Sequence, residues 1–173
     1  MAHLQQRAAA AAQQEWLAGI AQHCSHQLTL QTRLATRNKS QSTITRYTTE
    51  AHSALHYFIP RLNRALTGNG WRRNNNYKPV IIPCLEGTLN TYDRNRTLHW
   101  HILLGNLPKH CTTDLLAAAA RTIWLEHEHA QDNINCSELW NTTGYSNYMH
   151  KETRQGNFDC VATHYIQAPK HLL

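Results

Sequence analysis

The sequence has no Cys-x-x-Cys pair, and its five cysteines, Cys24, Cys84, Cys111, Cys136 and Cys160, are odd in number. Both features argue against a structural zinc site of the usual spacing and against a disulfide framework, and fit a reducing compartment. No apolar run approaches the ~20 residues needed to cross a bilayer, so no membrane partner is expected. The Ala8–Ala12 run imitates a signal-peptide core, but it is short and Gln13, Gln14 and Glu15 follow at once, which excludes that reading. Internal repeats and long linkers are also absent. Acidic residues are scarce: 11 Asp and Glu stand against 17 Lys and Arg, a formal charge of +6. That balance suits a polyanionic partner but says nothing of the fold.

What is present is enough for one ordinary domain. The 173 residues are 41% hydrophobic, so the chain is expected to bury a core and fold. We expect a single domain over residues 1–173, with 1–24 as an N-terminal helical extension. Ala8–Ala21 reads as a helix. Strands are expected at Gln27–Thr32, Val80–Leu85, Leu98–Leu104, Ile134–Leu139 and Val161–Ile166. Pro79 and Pro83 place the second of these at a sheet edge or a bulge. A helix capped by Ser42 or Thr43 is expected to run to about Leu66, on the period of Ile44, Tyr47, Ala51, Leu55, Phe58, Ile59 and Leu62. Pro60 should kink or split it. A further helix starts at Thr112 or Thr113, and another covers Thr142–Lys151. The fold class is α+β, a mostly antiparallel sheet with flanking helices.

Two constellations carry chemistry. The first is Leu98-His99-Trp100-His101-Ile102, in a chain with 13 histidines. Side chains alternate along a strand, so His99 and His101 share a face and can share one metal ion, while Leu98, Trp100 and Ile102 point to the core. A hairpin would bring Glu86, at the end of the preceding strand, beside them as a third ligand. Imidazole plus carboxylate suits Mn²⁺ or Mg²⁺, with Zn²⁺ admitted by raw affinity. The alternative is a pair of half-exposed strand histidines satisfied by neighbours or water. His127-Glu128-His129 is read as a decoy, because i and i+2 side chains diverge on a helix.

The second constellation is Gly144-Tyr145-Ser146-Asn147-Tyr148-Met149-His150-Lys151. On a helix Tyr148 and Lys151 are neighbours. A cation beside a phenol favours the phenolate, and a tyrosine nucleophile forms a phosphotyrosyl intermediate that keeps the phosphodiester energy for rejoining. The alternative is that both tyrosines simply pack the helix. Tyr165 is a rival nucleophile. Trp71, Arg72, Arg73, Tyr77 and Lys78 form a loop that mixes cations for phosphates with rings for unstacked bases. Arg94 and Arg96 precede the histidine strand and are placed to steer a phosphate to the metal. Arg33, Arg37 and Lys39 make another basic loop.

Leu28-Thr29-Leu30-Gln31, His99-Trp100-His101 and Tyr148-x-x-Lys151, in that order, resemble the three motifs of the HUH endonucleases of rolling-circle replication initiators. The resemblance spans about Gln27 to Lys151. It implies a five-stranded antiparallel sheet and a divalent metal, Mn²⁺ or Mg²⁺, on His99, His101 and an acidic residue matched by Glu86. It also implies Tyr148 as nucleophile, with Lys151 beside it and Tyr145 as a helper. The expected activity is site-specific nicking and rejoining of single-stranded DNA at a replication origin, with or without a hairpin, alongside a host helicase or polymerase. That activity would lie in the bacterial cytoplasm, or in the host nucleus for a eukaryotic virus. Two alternatives stay open: a transposase or relaxase of the same chemistry, and a non-catalytic DNA-binding module or repressor. Initiators that use two tyrosines space them more widely than Tyr145 and Tyr148, which points to one nucleophile here. No helicase segment follows the motifs, as expected of a compact initiator or of the nicking part of a longer chain.

Overall fold

The computed structural model describes residues 2–88, 96–141 and 160–172, with side chains from residue 11 onward. Its order is α1 (Ala2–Ala21), β1 (Cys24–Ala35), α2 (Gln41–Thr67), α3 (Gly70–Arg73), β2 (Val80–Glu86), β3 (Thr97–Gly105), α4 (Thr113–Trp124) and β4 (Ala130–Glu138). The fold is α+β. Among the described residues four strands form one sheet in the order β2-β3-β1-β4, and every pair is antiparallel.

Alternation along the strands sorts the two faces. Leu28 and Leu30 of β1, Leu98, Trp100, Ile102 and Leu104 of β3, and Ile81 and Leu85 of β2 meet α2 and α4 in the main core. Buried side chains of this size contribute about 1.5–3 kcal/mol each. The opposite face is part apolar and part polar. Val80, Ile82, Cys84 and Leu103 pack there against Leu17, Ile20 and Ala21 of α1 and against Cys160, Val161 and Ala168. Beyond them on that face stand Glu86, His99, His101 and Thr29.

Helix α2 starts two to three residues earlier than the sequence suggests. Ser40, not Ser42 or Thr43, is its N-cap, and its hydroxyl accepts from the Thr43 N–H at 3.3 Å. The helix runs unbroken past Pro60 to Thr67, against the expected split. An interior proline costs on the order of 3 kcal/mol. Phe58, Ile59, Leu62 and Leu66 flank it and are all buried, so their packing outweighs that cost. Gly68, at φ 60°, ends the helix in a region open to glycine. Helix α4 is capped by Thr112, whose hydroxyl accepts from Leu115 N–H at 3.2 Å, with Asp114 in its first turn where the helix dipole favours an acid.

Two other expectations are corrected. Trp71–Tyr77 is not plain loop: it forms α3 and a 3₁₀ turn at Asn75–Tyr77, whose first N–H groups are met by the Asn74 side chain accepting from Asn76 N–H at 3.0 Å. Val161–Ile166 is not a strand. Val161 makes a single bridge to Cys84, Thr163–Tyr165 forms a 3₁₀ turn, and Gln167 makes a second bridge to Ile81. This segment covers the outer edge of β2, which would otherwise present unpaired backbone groups. Pro83 fits there because its missing N–H faces that edge, while its carbonyl accepts from Ala162 N–H at 3.1 Å. Gln167 locks the segment down through paired amide hydrogen bonds with Asn63 at 3.0 and 2.8 Å.

Candidate metal centre

The β2–β3 register sets Glu86 directly opposite His99 and Cys84 opposite His101. His99 and His101 are two residues apart, so all three ligand candidates share a face. Glu86 Oε2 lies 3.6 Å from Nε2 of His99 and 3.6 Å from Nε2 of His101. The donor atoms of the three all lie within 4.8 Å of one another. Two donors about 2.1 Å from one ion sit roughly 3–3.5 Å apart, so the cluster has the dimensions of a single-ion cradle. The 3.6 Å spacings are long for direct hydrogen bonds.

Both imidazoles are held with Nε2 turned toward the carboxylate. His99 Nδ1 donates to the Thr97 carbonyl at 3.0 Å. That bond makes Nδ1 a donor, so Nε2, once deprotonated, is the nitrogen that would meet an ion. His101 Nδ1 lies 3.1 Å from the Thr29 hydroxyl, and in the matching tautomer it donates there. Thr29 pairs with His101 across β1 and β3. The middle of the Leu28-Thr29-Leu30 motif is thus a support for a ligand.

The site is closed at its base and open at one side. The side chains of Glu86 and His101 are 6% and 9% exposed, while that of His99 is 23% exposed. Burial acts to raise the Glu86 pKa, but the imidazoles of His101 and then His99 act against it and hold the carboxyl at about 2. Glu86 is therefore ionised at any ordinary pH. Its Oε1 is buried and has no hydrogen-bond partner among the described residues. A buried carboxylate with an orphaned oxygen between two oriented imidazoles is costly unless a cation completes it. The donor set fits a divalent ion.

The remaining expected residues distribute unevenly. Arg96 immediately precedes β3, three residues before His99, and its carbonyl accepts from Thr36 N–H at 3.0 Å. Thr36 Oγ1 also donates to the Gly87 carbonyl at 2.8 Å, so one threonine ties both ends of the connector next to the triad. Arg94, Tyr145, Tyr148 and Lys151 lie outside the described residues. Leu139 and Cys160 both pack in the cluster on the metal face of the sheet. Trp71, Arg72, Arg73 and Lys78 are not brought to the triad. They precede Val80, at the far end of β2, roughly 20 Å from Glu86 by the strand rise. Tyr165 is on the other face: it packs against the main core and its hydroxyl donates to the His52 carbonyl at 3.2 Å. His127 and His129 follow α4, where His129 faces Glu50 at 3.6 Å; they join no three-ligand cluster among the described residues.

No protein-family model, curated protein or solved structure gives a significant match to this chain.

Proposed function

We propose that this protein is a metal-dependent endonuclease that nicks and rejoins single-stranded DNA at a replication origin, with Tyr148 as nucleophile. The observation that carries the reading is the Glu86–His99–His101 cradle, formed on adjacent strands with its imidazoles already oriented. The same donor types also serve zinc hydrolases and iron oxygenases. DNA nicking is favoured by the basic balance of the chain and by the order of the three motifs. It is supported too by the place of Cys160, the first described residue after the tyrosine segment, whose carbonyl accepts from Leu85 N–H at 2.8 Å, next to Glu86.

In this reading His99, His101 and Glu86 hold Mn²⁺ or Mg²⁺, which supplies Lewis-acid polarisation of a phosphoryl oxygen. The Tyr148 oxygen forms a bond to phosphorus as the bond from phosphorus to the 3′ oxygen breaks. The phenolic proton ends on that oxygen, leaving a 3′-OH and a 5′-phosphotyrosine. Lys151 favours the phenolate, with Tyr145 as a helper, and Arg96 and Arg94 steer the phosphate. Reversal of the same step rejoins the strand.

The test is a labelled pool of single-stranded DNA incubated with the protein and Mn²⁺ or EDTA. The readout is a covalent adduct on a denaturing gel. Metal-dependent adduct that vanishes in Tyr148→Phe and in His99→Ala is expected. Tight DNA binding without any adduct, on a pool that includes the cognate origin, would instead favour a non-catalytic binding module.

A further inference from the structure

A cleft of about 790 Å³ opens at the end of the β2–β3 hairpin opposite the triad. Leu66 at the end of α2 and Leu107 and Pro108 after β3 give it an apolar floor, and Tyr77 forms a wall. Tyr77 is 61% exposed, unusual for a ring over an apolar cleft. The ring is nevertheless set in place. It lies over Gly70, where an added Cβ would sit 3.8 Å from Tyr77 Cδ2. Asn106, in the left-handed region at φ 49°, donates through Nδ2 to the carbonyls of Asn76 and Lys78 at 2.9 and 2.8 Å. One side chain thereby clamps the tyrosine turn to the end of β3 from both sides.

The rim is basic. Lys109 and His110 line the cleft, and no carboxylate does. Lys78, Arg72 and Arg73 flank the tyrosine turn in the sequence. A flat ring beside an apolar floor, edged with basic side chains, matches the chemistry of an unstacked base and its phosphate. It does not match a cationic or a purely apolar ligand.

We propose that this cleft is a second DNA site, which takes one unstacked base of a single strand against Tyr77 and its phosphate on Lys109 and His110. The inference rests on the nicking reading for its substrate. The strand rise puts the cleft roughly 20 Å from the triad, several nucleotides away along a single strand. A strand held here is gripped well away from the phosphate being cut, so the cleft fixes register rather than chemistry.

The experiment uses the full chain, EDTA and a fluorescently labelled 20-mer of deoxythymidine, read by anisotropy over a salt series. Tyr77→Ala is expected to weaken binding about tenfold or more, and Tyr77→Phe to restore it, since stacking needs the ring and not the hydroxyl. Lys109→Ala is expected to lower the slope of log affinity against log salt by about 0.7, one single-strand phosphate contact. Both side chains are at the surface, and Mn²⁺ affinity is expected to stay at the wild-type level in each variant. Wild-type affinity and slope in both Tyr77→Ala and Lys109→Ala would overturn the proposal, as would a wild-type chain that does not bind the oligonucleotide. Because this assay needs neither metal nor Tyr148, its outcome is separate from that of the adduct assay. Loss of adduct chemistry with a Tyr77-dependent grip would sink only the nicking step.

Discussion

Glu86 and His99 face each other directly across the antiparallel β2–β3 pair, and Glu86 Oε2 is equidistant, at 3.6 Å, from His99 and from His101. A single carboxylate oxygen thus sits at the apex of two imidazoles whose outer nitrogens are fixed by Thr97 and Thr29. The arrangement ranks the residues by their expected effect on metal. His101→Ala removes a donor and Glu86→Gln removes the carboxylate's charge, and each should abolish Mn²⁺ binding in calorimetry. Thr29→Val removes only the hydroxyl beside His101 Nδ1. It should weaken binding about 10–100-fold while leaving the ligands in place. Equal affinity in Thr29→Val and wild type would mean that His101 is oriented by packing alone.

Gly87 sets where the Glu86 carboxylate can go. Its φ is +96°, and a Cβ there would lie 2.7 Å from the Thr97 carbonyl oxygen. That contact is with backbone, which cannot swing aside as a side chain can. Gly87→Ala should therefore push β2 away from β3 just where Glu86 meets His99. The expected cost is about 1–3 kcal/mol from the strained backbone, with more from the clash. For a chain of this length that lowers Tm by at least several degrees. Mn²⁺ affinity should fall as well. A variant that lost stability but kept full metal affinity would show that the triad tolerates movement of its hairpin.

Much of this site was legible because it is local. The period-2 pattern of Leu98-His99-Trp100-His101-Ile102 sorts core from site without any tertiary knowledge, and the structure keeps that division. Glu86 was legible once a hairpin was assumed. Thr29 was not, because its place beside His101 depends on the register between β1 and β3, strands some seventy residues apart in sequence. The tail was misread for a related reason. Val161-Ala162 looks like a strand start, but Val161 joins the metal-face cluster while Ala162 joins the main core. The segment wraps a sheet edge rather than extending the sheet. The split expected at Pro60 does not occur, because the buried flanks of α2 outweigh a local backbone cost.

The two tyrosines singled out as nucleophiles should behave in opposite ways. Burial raises the Tyr165 pKa, which disfavours a phenolate, and its hydroxyl is engaged with the His52 carbonyl on the face away from the triad. Tyr165→Phe should keep full adduct formation and lose about 0.5–1.5 kcal/mol of stability, the value of one such hydrogen bond. Tyr148→Phe should keep stability and lose the adduct. Loss of the adduct in Tyr165→Phe, at unchanged stability, would require a different path for the strand.

His52 gives the acid side of the stability profile a defined origin. Its ring stacks on His164 at 5.4 Å and on Tyr165 at 5.8 Å, and meets the edge of Trp100 at 5.1 Å. Burial, and then the charge of His164, lower its pKa below the ordinary 6.5. The other groups near this stack are His56 on α2 and Tyr165 itself. In the unfolded chain His52 takes up its proton near 6.5, whereas in the folded chain it does so only at lower pH. The unfolded state then binds more protons in that interval, so stability falls as pH drops through 6.5 and levels off below the folded pKa. His52→Phe keeps an aromatic ring in the stack but cannot titrate. Urea denaturation at about pH 7.5 and about pH 5.5 should therefore show a smaller drop in the variant than in the wild type. Parallel drops in the two proteins would assign the acid sensitivity to other groups and leave His52 a packing residue alone.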